Sequence, residues 1–330
     1  MRQSQISTKK SRDKNYFRCK VQIYKGIKAL EVQLFYSRVF MKIVVTGGSG
    51  FVGLNLINEL KGHHEVVNLD IANPAESGHF IKCDITNEEE VSRIFKNELQ
   101  DADAVVHLAA LSKEAASNEN PSIYFKVNVS GTFNILNACL NTGVKNFIFA
   151  SSYLVYGNSD SEKVSETSLL HPKSIYAATK ASGEAIINSF HNIYGINTVL
   201  LRKCVLYGEN DPQKRVINLF IDRVKEGKDI TVFGDKFLDF LYIRDAVNAY
   251  IKAIDYKKSD TFNIGSGTGY SLRGIAEAIV GKLGSNSKIL EAPPREGEVD
   301  KYVADISKAR KFLGFEPTKN VMQFIESQCE

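Results

Sequence analysis

Residues 41–53, MKIVVTGGSGFVG, decide how the rest of this chain is interpreted. A short apolar run, Ile43 to Val45, precedes three glycines spaced three apart, Gly47, Gly50 and Gly53. A helical pattern of apolar residues follows, so this order predicts a strand, a tight turn and a helix. Glycines allow the sharp turn and the close approach of a pyrophosphate, which the free N–H groups of a helix N-terminus bind. The stretch therefore predicts a dinucleotide site.

Strands and helices alternate after this turn. Predicted strands lie at 66–69, 80–83, 104–107, 147–150 and 198–201, and predicted helices follow a Thr86 cap and occupy 121–141 and 176–194. Short connections between alternating elements indicate a parallel sheet that binds ligands beyond the carboxyl ends of its strands. We therefore expect an α/β fold with a Rossmann-type doubly wound parallel sheet over residues 41–205. Residues 206–330 are expected to form mainly a smaller α/β lobe that binds substrate.

Residues 1–40 differ from the rest of the chain in charge. They hold ten Lys or Arg against two acids, so the net charge of +4 becomes −4 when only residues 41–330 are counted. We expect this basic extension to be unpacked, or to precede a true start at Met41; a transit peptide is the alternative. The mildly acidic remainder argues against a nucleic-acid partner.

The composition is that of a globular protein, with 43% hydrophobic and 24% charged residues among 330. Five cysteines are scattered without a C-x-x-C pair, and the histidines lack partners at ligand spacing. These features predict no metal site and a reducing, cytoplasmic location. Membrane association is not expected, because no apolar run approaches the roughly 18 residues of a spanning helix.

Two acids end consecutive predicted strands. Asp70 comes 17 residues after Gly53, where its carboxylate would accept hydrogen bonds from the adenosine ribose and favour NAD over NADP. Asp84 ends the next strand and would meet the adenine amine. The alternatives are a strand-end turn for Asp70 and helix capping for Asp84.

Tyr176 and Lys180 are four residues apart, so their side chains share one helix face. We expect the Lys180 ammonium to lower the pKa of Tyr176 and prepare the phenol for acid–base work. Ser151 and Ser152 end a strand about 25 residues earlier, and a hydroxyl there would reach the same substrate oxygen. Together these residues predict hydride transfer between a substrate carbon and a nicotinamide. A solvated helix face and an ordinary loop are the alternatives.

The order of these motifs resembles the extended short-chain dehydrogenase/reductases, and within them the NAD-dependent sugar epimerase/dehydratase family that includes UDP-glucose 4-epimerase. The resemblance covers essentially residues 41–320. It is carried by TGGSGFVG, Asp70, Asp84-Ile85, His107-Leu-Ala-Ala110, Asn128-Val-Ser-Gly-Thr132, Ser151 to Gly157, Tyr176-xxx-Lys180 and Arg295-Glu-Gly-Glu298. It implies an enzyme that uses NAD on a nucleotide sugar, and a homodimer formed through the helices at 121–141 and 176–194.

The resemblance also implies roles for individual residues. Tyr176 would be the acid/base, Lys180 would hold the ribose and tune that tyrosine, and Ser152 would take the catalytic Ser/Thr place. Substrate would contact Ser152, Tyr176 and Arg295. The cofactor-binding set would be Gly47, Gly50, Phe51, Val52, Gly53, Asp70, Asp84, Ile85, Leu108, Ala109, Ala110, Ser151, Tyr176 and Lys180.

Departures from the family pattern reduce the number of reactions that the sequence supports. Tyr153 and Leu154 stand where dehydratases carry an Asp-Glu pair, which disfavours a 4,6-dehydratase. Val205 and Leu238 replace an Asn and an Arg that hold the diphosphate in sugar-nucleotide epimerases, so the particular sugar nucleotide stays open. The leading interpretation is an NAD-dependent nucleotide-sugar epimerase with a transient keto intermediate. The alternatives are a reductase or dehydrogenase of the same family and a non-catalytic NAD sensor or scaffold.

Overall fold

The computed structural model describes residues 40–72, 78–159, 161–209 and 211–329. Apart from Phe40, the basic extension lies outside these residues, and the predictions about it stay predictions. The described residues form one compact unit.

The strands alternate with helices along the chain, as the sequence predicts. They are β1 Lys42–Thr46, β2 Glu65–Asp70, β3 His79–Lys82, β4 Ala104–His107, β5 Asn146–Ser152, β6 Asn197–Lys203, β7 Val205–Tyr207, β8 Ile230–Phe233, β9 Phe237–Tyr242, β10 Asp260–Ile264, β11 Gly269–Ser271, β12 Ile289–Ala292 and β13 Lys301–Tyr302.

Seven parallel strands form the main sheet in the order β10-β6-β5-β4-β1-β2-β3. Within it, strands 3-2-1-4-5-6 have the order of a Rossmann sheet, so the predicted fold class is confirmed. The strand β4 is buried throughout, and β1 is buried at every position after Lys42, because helices cover both faces. The strand order reverses between β1 and β4, which opens a crevice at their carboxyl ends.

The helices are α1 Phe51–Leu60, α2 Glu88–Glu98, α3 Glu114–Glu119, α4 Pro121–Phe125, α5 Gly131–Thr142, α6 Ile175–Tyr194, α7 Val216–Lys225, α8 Ile243–Asp255, α9 Leu272–Lys282, α10 Ser307–Leu313 and α11 Val321–Cys329. They pack on the main sheet or, for α7, α9 and α11, on the small sheets described below. Within the described ranges, no helix is long and apolar enough to cross a membrane.

Two details of the predicted helices are wrong. Asn87, not Thr86, caps α2, and its side chain accepts a hydrogen bond from the Glu90 N–H. The predicted helix at 121–141 is interrupted by a π-helical turn at Lys126–Ser130 between α4 and α5. Within this turn, Asn128 binds the N–H and C=O of Leu111, at 2.8 and 3.0 Å. The turn therefore anchors the loop that follows β4.

The boundary predicted at residue 205 does not divide the chain cleanly. Strand β10, from the C-terminal part, pairs with β6 in the main sheet, and α8 packs against α1 and β5. The rest of the C-terminal part forms two small sheets, β11-β9-β13 with β7 beside β9, and β12-β8. The chain thus returns to complete the first sheet, and the substrate lobe expected from residue 206 onward stays a prediction.

Candidate active site

The glycine turn after β1 leaves no room for side chains. Gly47 has a φ of +67°, and a Cβ there would lie 2.6 Å from the backbone N of Ala109. A Cβ on Gly53 would lie 2.5 Å from the Gly47 carbonyl oxygen, so Gly53 lets α1 pack against the turn. Gly50 caps α1 without a side-chain hydrogen bond, which leaves the first N–H groups of the helix free for an anion.

A cavity of about 500 Å³ runs from this turn along the carboxyl ends of the strands. That volume is in the range of cofactor and substrate sites. It brings together most of the residues predicted from the sequence, namely Gly47, Gly50, Phe51, Val52, Asp70, Asp84, Ile85, Leu108, Ala109, Ala110, Ser152, Tyr176 and Lys180.

The two strand-end acids have different local partners. Asp70 accepts hydrogen bonds from the N–H groups of Ser49 and Ile71, at 3.0 and 2.7 Å. Asp84 accepts one from the Thr86 N–H at 2.9 Å. Each carboxylate is therefore held in place at the cavity by backbone donors and keeps further lone pairs for a ligand.

Three predicted residues do not line the cavity. Gly53 packs inside the turn, as described above. The Ser151 hydroxyl is fully buried and donates to Glu184 at 2.5 Å, because alternate residues of a strand point to opposite faces and Ser152 takes the cavity face. Arg295 is 52% exposed, lies 3.9 Å from the centre of the Phe233 ring and pairs with Glu298 at 3.7 Å.

Tyr176, Lys180 and Ser152 meet at the other end of the cavity. Tyr176 and Lys180 lie one turn apart on α6, which is capped by the Ser174 side chain, and Ser152 is the last residue of β5. The Ser152 side chain lies close enough to the Tyr176 phenol to lower its pKa, and Tyr176 is only 5% exposed. A hydroxyl and a phenol are thus placed side by side where a substrate oxygen would bind.

Lys180 was expected to lower the pKa of Tyr176. This prediction is wrong when only the groups of the protein itself act on the phenol. Burial raises the pKa of Tyr176 to about 12, although the nearby Ser152 side chain opposes this. The Lys180 Nζ lies 6.0 Å from the centre of the Tyr176 ring and 4.8 Å from that of Phe149. Burial, and then the neighbouring Lys203, lower the pKa of Lys180 to about 7. Desolvation is therefore the largest cause of both pKa shifts.

His107 is held inside the fold by two side-chain hydrogen bonds. Its ring is 1% exposed and is hydrogen-bonded to Thr46 at 2.7 Å and to Thr132 at 3.0 Å. Burial, and then Lys180, lower its pKa to about 3, so the ring is neutral at physiological pH. No group of three potential metal-ligating side chains occurs among the residues that the structure describes.

Sequence reasoning missed five polar residues that line the cavity: Ser112, Lys113, Lys203, Gln213 and Arg215. Lys203 ends β6, so a search of strand ends would have found it. Arg215 comes from the loop before α7, and its guanidinium lies 4.9 Å from the centre of the Phe51 ring and pairs with Asp211. No local sequence pattern predicts that Arg215 lies at the cavity, because only the tertiary fold brings its loop there.

The residues present fit NAD. The glycine turn is a cradle that a Cβ would fill, and a capped but unblocked helix N-terminus faces it. Asp70 and Asp84 supply acceptors for a ribose and a base, and Tyr176 and Lys180 lie at the opposite end.

Comparison with known proteins decides the family. The NAD-dependent epimerase/dehydratase family matches residues 43–265. The chain belongs to this family. It is therefore an enzyme that uses NAD, and the predicted family, enzyme class and cofactor are confirmed.

Individual members of the family are similar over nearly their whole length. A putative UDP-glucose 4-epimerase of Methanocaldococcus jannaschii is 32% identical over 297 residues, covering 86% of this chain and 96% of that relative. The structure of a UDP-glucose 4-epimerase from Thermotoga maritima with UDP-glucose has a TM-score of 0.81 at 30% identity, covering 88% and 97% of the two chains. That of Thermus thermophilus UDP-glucose 4-epimerase with NAD has a TM-score of 0.80 at 29% identity, covering 88% and 98%.

Proposed function

We propose that this enzyme is an epimerase that inverts one carbon of a nucleotide-linked sugar through a transient keto intermediate. The observation that carries the proposal is the convergence of Ser152, Tyr176 and Lys180 on one cavity with the glycine turn. The UDP-sugar epimerases among its relatives support the substrate class.

In this proposal, each end of the cavity has its own task. The glycine turn and the N–H groups at the start of α1 bind the cofactor pyrophosphate, and Asp70 binds the adenosine ribose. The negative charge of Asp70 repels a 2′-phosphate, so NAD is preferred to NADP. The lysine at position 180 binds the other ribose, which compensates for part of its own burial.

The reaction needs one proton and one hydride to leave the same carbinol. Tyr176 accepts the hydroxyl proton, and Ser152 binds the same oxygen and orients it. When bound, NAD supplies the hydride acceptor, a positively charged ring beside the phenol, and returns the hydride to either face of the ketone. That ring charge, with the protonated Lys180, favours the phenolate that burial alone disfavours.

The two positions after Ser152 do not carry the Asp-Glu pair of a dehydratase. Tyr153 lines the cavity there, and its ring packs against Tyr302 with 4.7 Å between centres. Leu154 follows it and is buried. These two side chains cannot expel water as an Asp-Glu pair does, which supports an epimerase or a reductase over a 4,6-dehydratase.

We also propose that the enzyme is a homodimer. Large apolar side chains are exposed along α4, α5 and α6, and they are Ile123, Phe125, Phe133, Ile193 and Tyr194. The Phe133 ring lies 5.8 Å from that of Phe190, which in turn lies 5.3 Å from Tyr194, so the two helices share one aromatic surface. A second copy of the chain would cover it.

Replacing the catalytic phenol tests the proposal. Purified protein is incubated with a panel of nucleotide sugars without added cofactor, and epimers are separated by chromatography. Tyr176→Phe should lower turnover at least ~100-fold, because proton transfer by a positioned group contributes 10²–10⁴-fold. Tyr194→Phe, at the exposed end of the same helix, is the matched control and should keep full turnover. Full turnover by Tyr176→Phe, or net consumption of NADH, would exclude the proposed epimerase cycle.

A further inference from the structure

Lys203 is a charged residue that the proposed mechanism does not use. It ends β6, lines the cavity and is paired in register with Ser152 of the neighbouring strand. Its Nζ donates a hydrogen bond to the Ser151 carbonyl oxygen at 3.2 Å. Within the described part of the chain, no carboxylate lies within ion-pair distance of this ammonium.

The neighbouring cations differ from Lys203 because they are compensated. Arg202, the preceding residue, is bound to Glu184 with an Nη2–Oε2 distance of 2.6 Å. Arg215 is paired with Asp211. Lys203 lies near Lys180, whose positive charge Glu184 partly offsets. Burial followed by Arg215 lowers the pKa of Lys203 to about 8. At neutral pH, Lys203 therefore remains mostly charged.

The acids that line the cavity are too far away to neutralise this charge. They are Asp70, the last residue of β2, and Asp84, two residues after β3. Four strand spacings separate β6 from β2 in the main sheet, or about 19 Å at ~4.8 Å each. The residues that line the cavity are thus acidic at one end and basic at the end that holds Ser152 and Tyr176, where the nearby Glu114 and Glu184 do not line it.

A nicotinamide ring is positively charged when oxidised and neutral when reduced. Reduction adds a hydride, which is two electrons and one proton taken from the substrate carbon, while the hydroxyl proton goes to Tyr176. The ammonium of Lys203 at this end of the cavity repels the oxidised ring and leaves the reduced ring unaffected. We infer that Lys203 shifts the redox equilibrium of the bound cofactor toward its reduced form.

This bias has a consequence for the reaction. A raised reduction potential makes the cofactor a stronger oxidant of the sugar and lengthens the life of the keto intermediate. The inference depends on NAD binding to this chain and does not depend on which sugar is the substrate. The inference about Lys203 and the proposed epimerase function can therefore fail separately.

The test measures the reduction potential of the cofactor in the full-length holoenzyme. The protein is equilibrated with redox dye couples, and reduced nicotinamide is read from its absorbance. Lys203→Met removes the charge at similar length and should lower the reduced-to-oxidised ratio by ~10-fold at a given potential, which is about 30 mV for two electrons. Lys203→Arg keeps the charge and should stay within about threefold of the unaltered protein.

Two further variants keep the test decisive. Lys113→Met removes a charge from an exposed lysine that lines the same cavity, and solvent screening should keep its effect within about threefold. Lys203→Gln retains a donor for the Ser151 carbonyl and replaces Lys203→Met if the latter does not fold. An unchanged potential in the neutral variants at position 203 would overturn the inference. An equal shift in Lys113→Met would also overturn it, because the effect would then come from overall charge.

Discussion

Two lysines at one end of the cavity, the buried Lys180 and the half-buried Lys203, make the stability of the fold depend on pH. The pKa of Lys203 is lowered to about 8 and that of Lys180 to about 7, both chiefly by burial. Between these values and the ordinary lysine pKa near 10.5, the unfolded chain binds more protons than the folded one. The free energy of unfolding that these groups contribute therefore rises with pH across this window.

Lys203→Met isolates one of these contributions. The variant should be more stable than the unaltered protein at pH 7, because it buries no charge. Its advantage should shrink by about 2 kcal/mol when the pH is raised from 7 to 9.5. Denaturant unfolding of nucleotide-free protein at both pH values checks this. An advantage that stays constant, or grows with pH, would contradict the burial of this ammonium.

Two arginines, Arg215 and Arg295, are candidates for binding a substrate diphosphate. Family resemblance assigns Arg295, whereas the structure brings Arg215 to the cavity and leaves Arg295 half-exposed over Phe233. Loss of a charged hydrogen bond to the diphosphate costs about 1.5–3 kcal/mol, or ~10- to 100-fold in affinity. We predict that Arg215→Gln weakens UDP binding by this factor and that Arg295→Gln changes it less than threefold, as measured by calorimetry. The reverse order would restore the assignment from resemblance.

The serine pair shows how far residue-level prediction reaches. Both Ser151 and Ser152 were assigned to the site because both end the same strand. The pleat sends them to opposite faces, so one meets Tyr176 and the other meets Glu184. Side-chain alternation would have separated them, whereas Arg215 required the path of a loop that no sequence period encodes.

The glycine turn is the element whose sequence was most informative. Its conformation follows from positions where no Cβ fits, and a strand before it and a helix after it are both apolar. The π-helical turn at Lys126–Ser130 was not predictable in the same way. It is stabilised by long-range hydrogen bonds between Asn128 and both Leu111 and Thr179. Helical periodicity in the sequence cannot predict these partners.

Matched glycine substitutions test the turn as an element. Gly47→Ala places a methyl group 2.6 Å from the Ala109 backbone at a φ of +67° and should abolish measurable NAD binding. Gly62→Ala, at a φ of +91° with nothing within 4 Å, has the backbone strain without the clash. It should cost about 1 kcal/mol of stability and leave NAD affinity unchanged. Equal loss of NAD binding in both variants would mean that strain, not close approach, explains the turn.

The exposed aromatic surface on α5 and α6 is the basis for predicting the oligomeric state of the molecule. We predict a particle of twice the 36.8 kDa chain mass in light scattering. Phe133→Asp places a charge in this surface and should give a monomer. Leu169→Asp, at a residue that is 90% exposed outside the helices, should not change the mass. A monomeric unaltered protein would remove the proposed dimer without affecting the active site.

The order of strands in the whole molecule could be predicted from the sequence only in part. Alternating elements predicted the main sheet, because βαβ units leave few topologies. The return of β10 to the edge of that sheet was not predicted, since nothing local distinguishes Asp260–Ile264 from a strand of the second lobe.

Isotope retention tests the central claim most directly. A nucleotide sugar deuterated on every ring carbon is converted by the holoenzyme without added cofactor, and the epimeric product is analysed by mass spectrometry. The proposed cycle returns the hydride to the carbon that lost it, so the product should retain all of its deuterium. Loss of one deuterium from the product, or its appearance in free NADH, would contradict an epimerase that regenerates its bound cofactor.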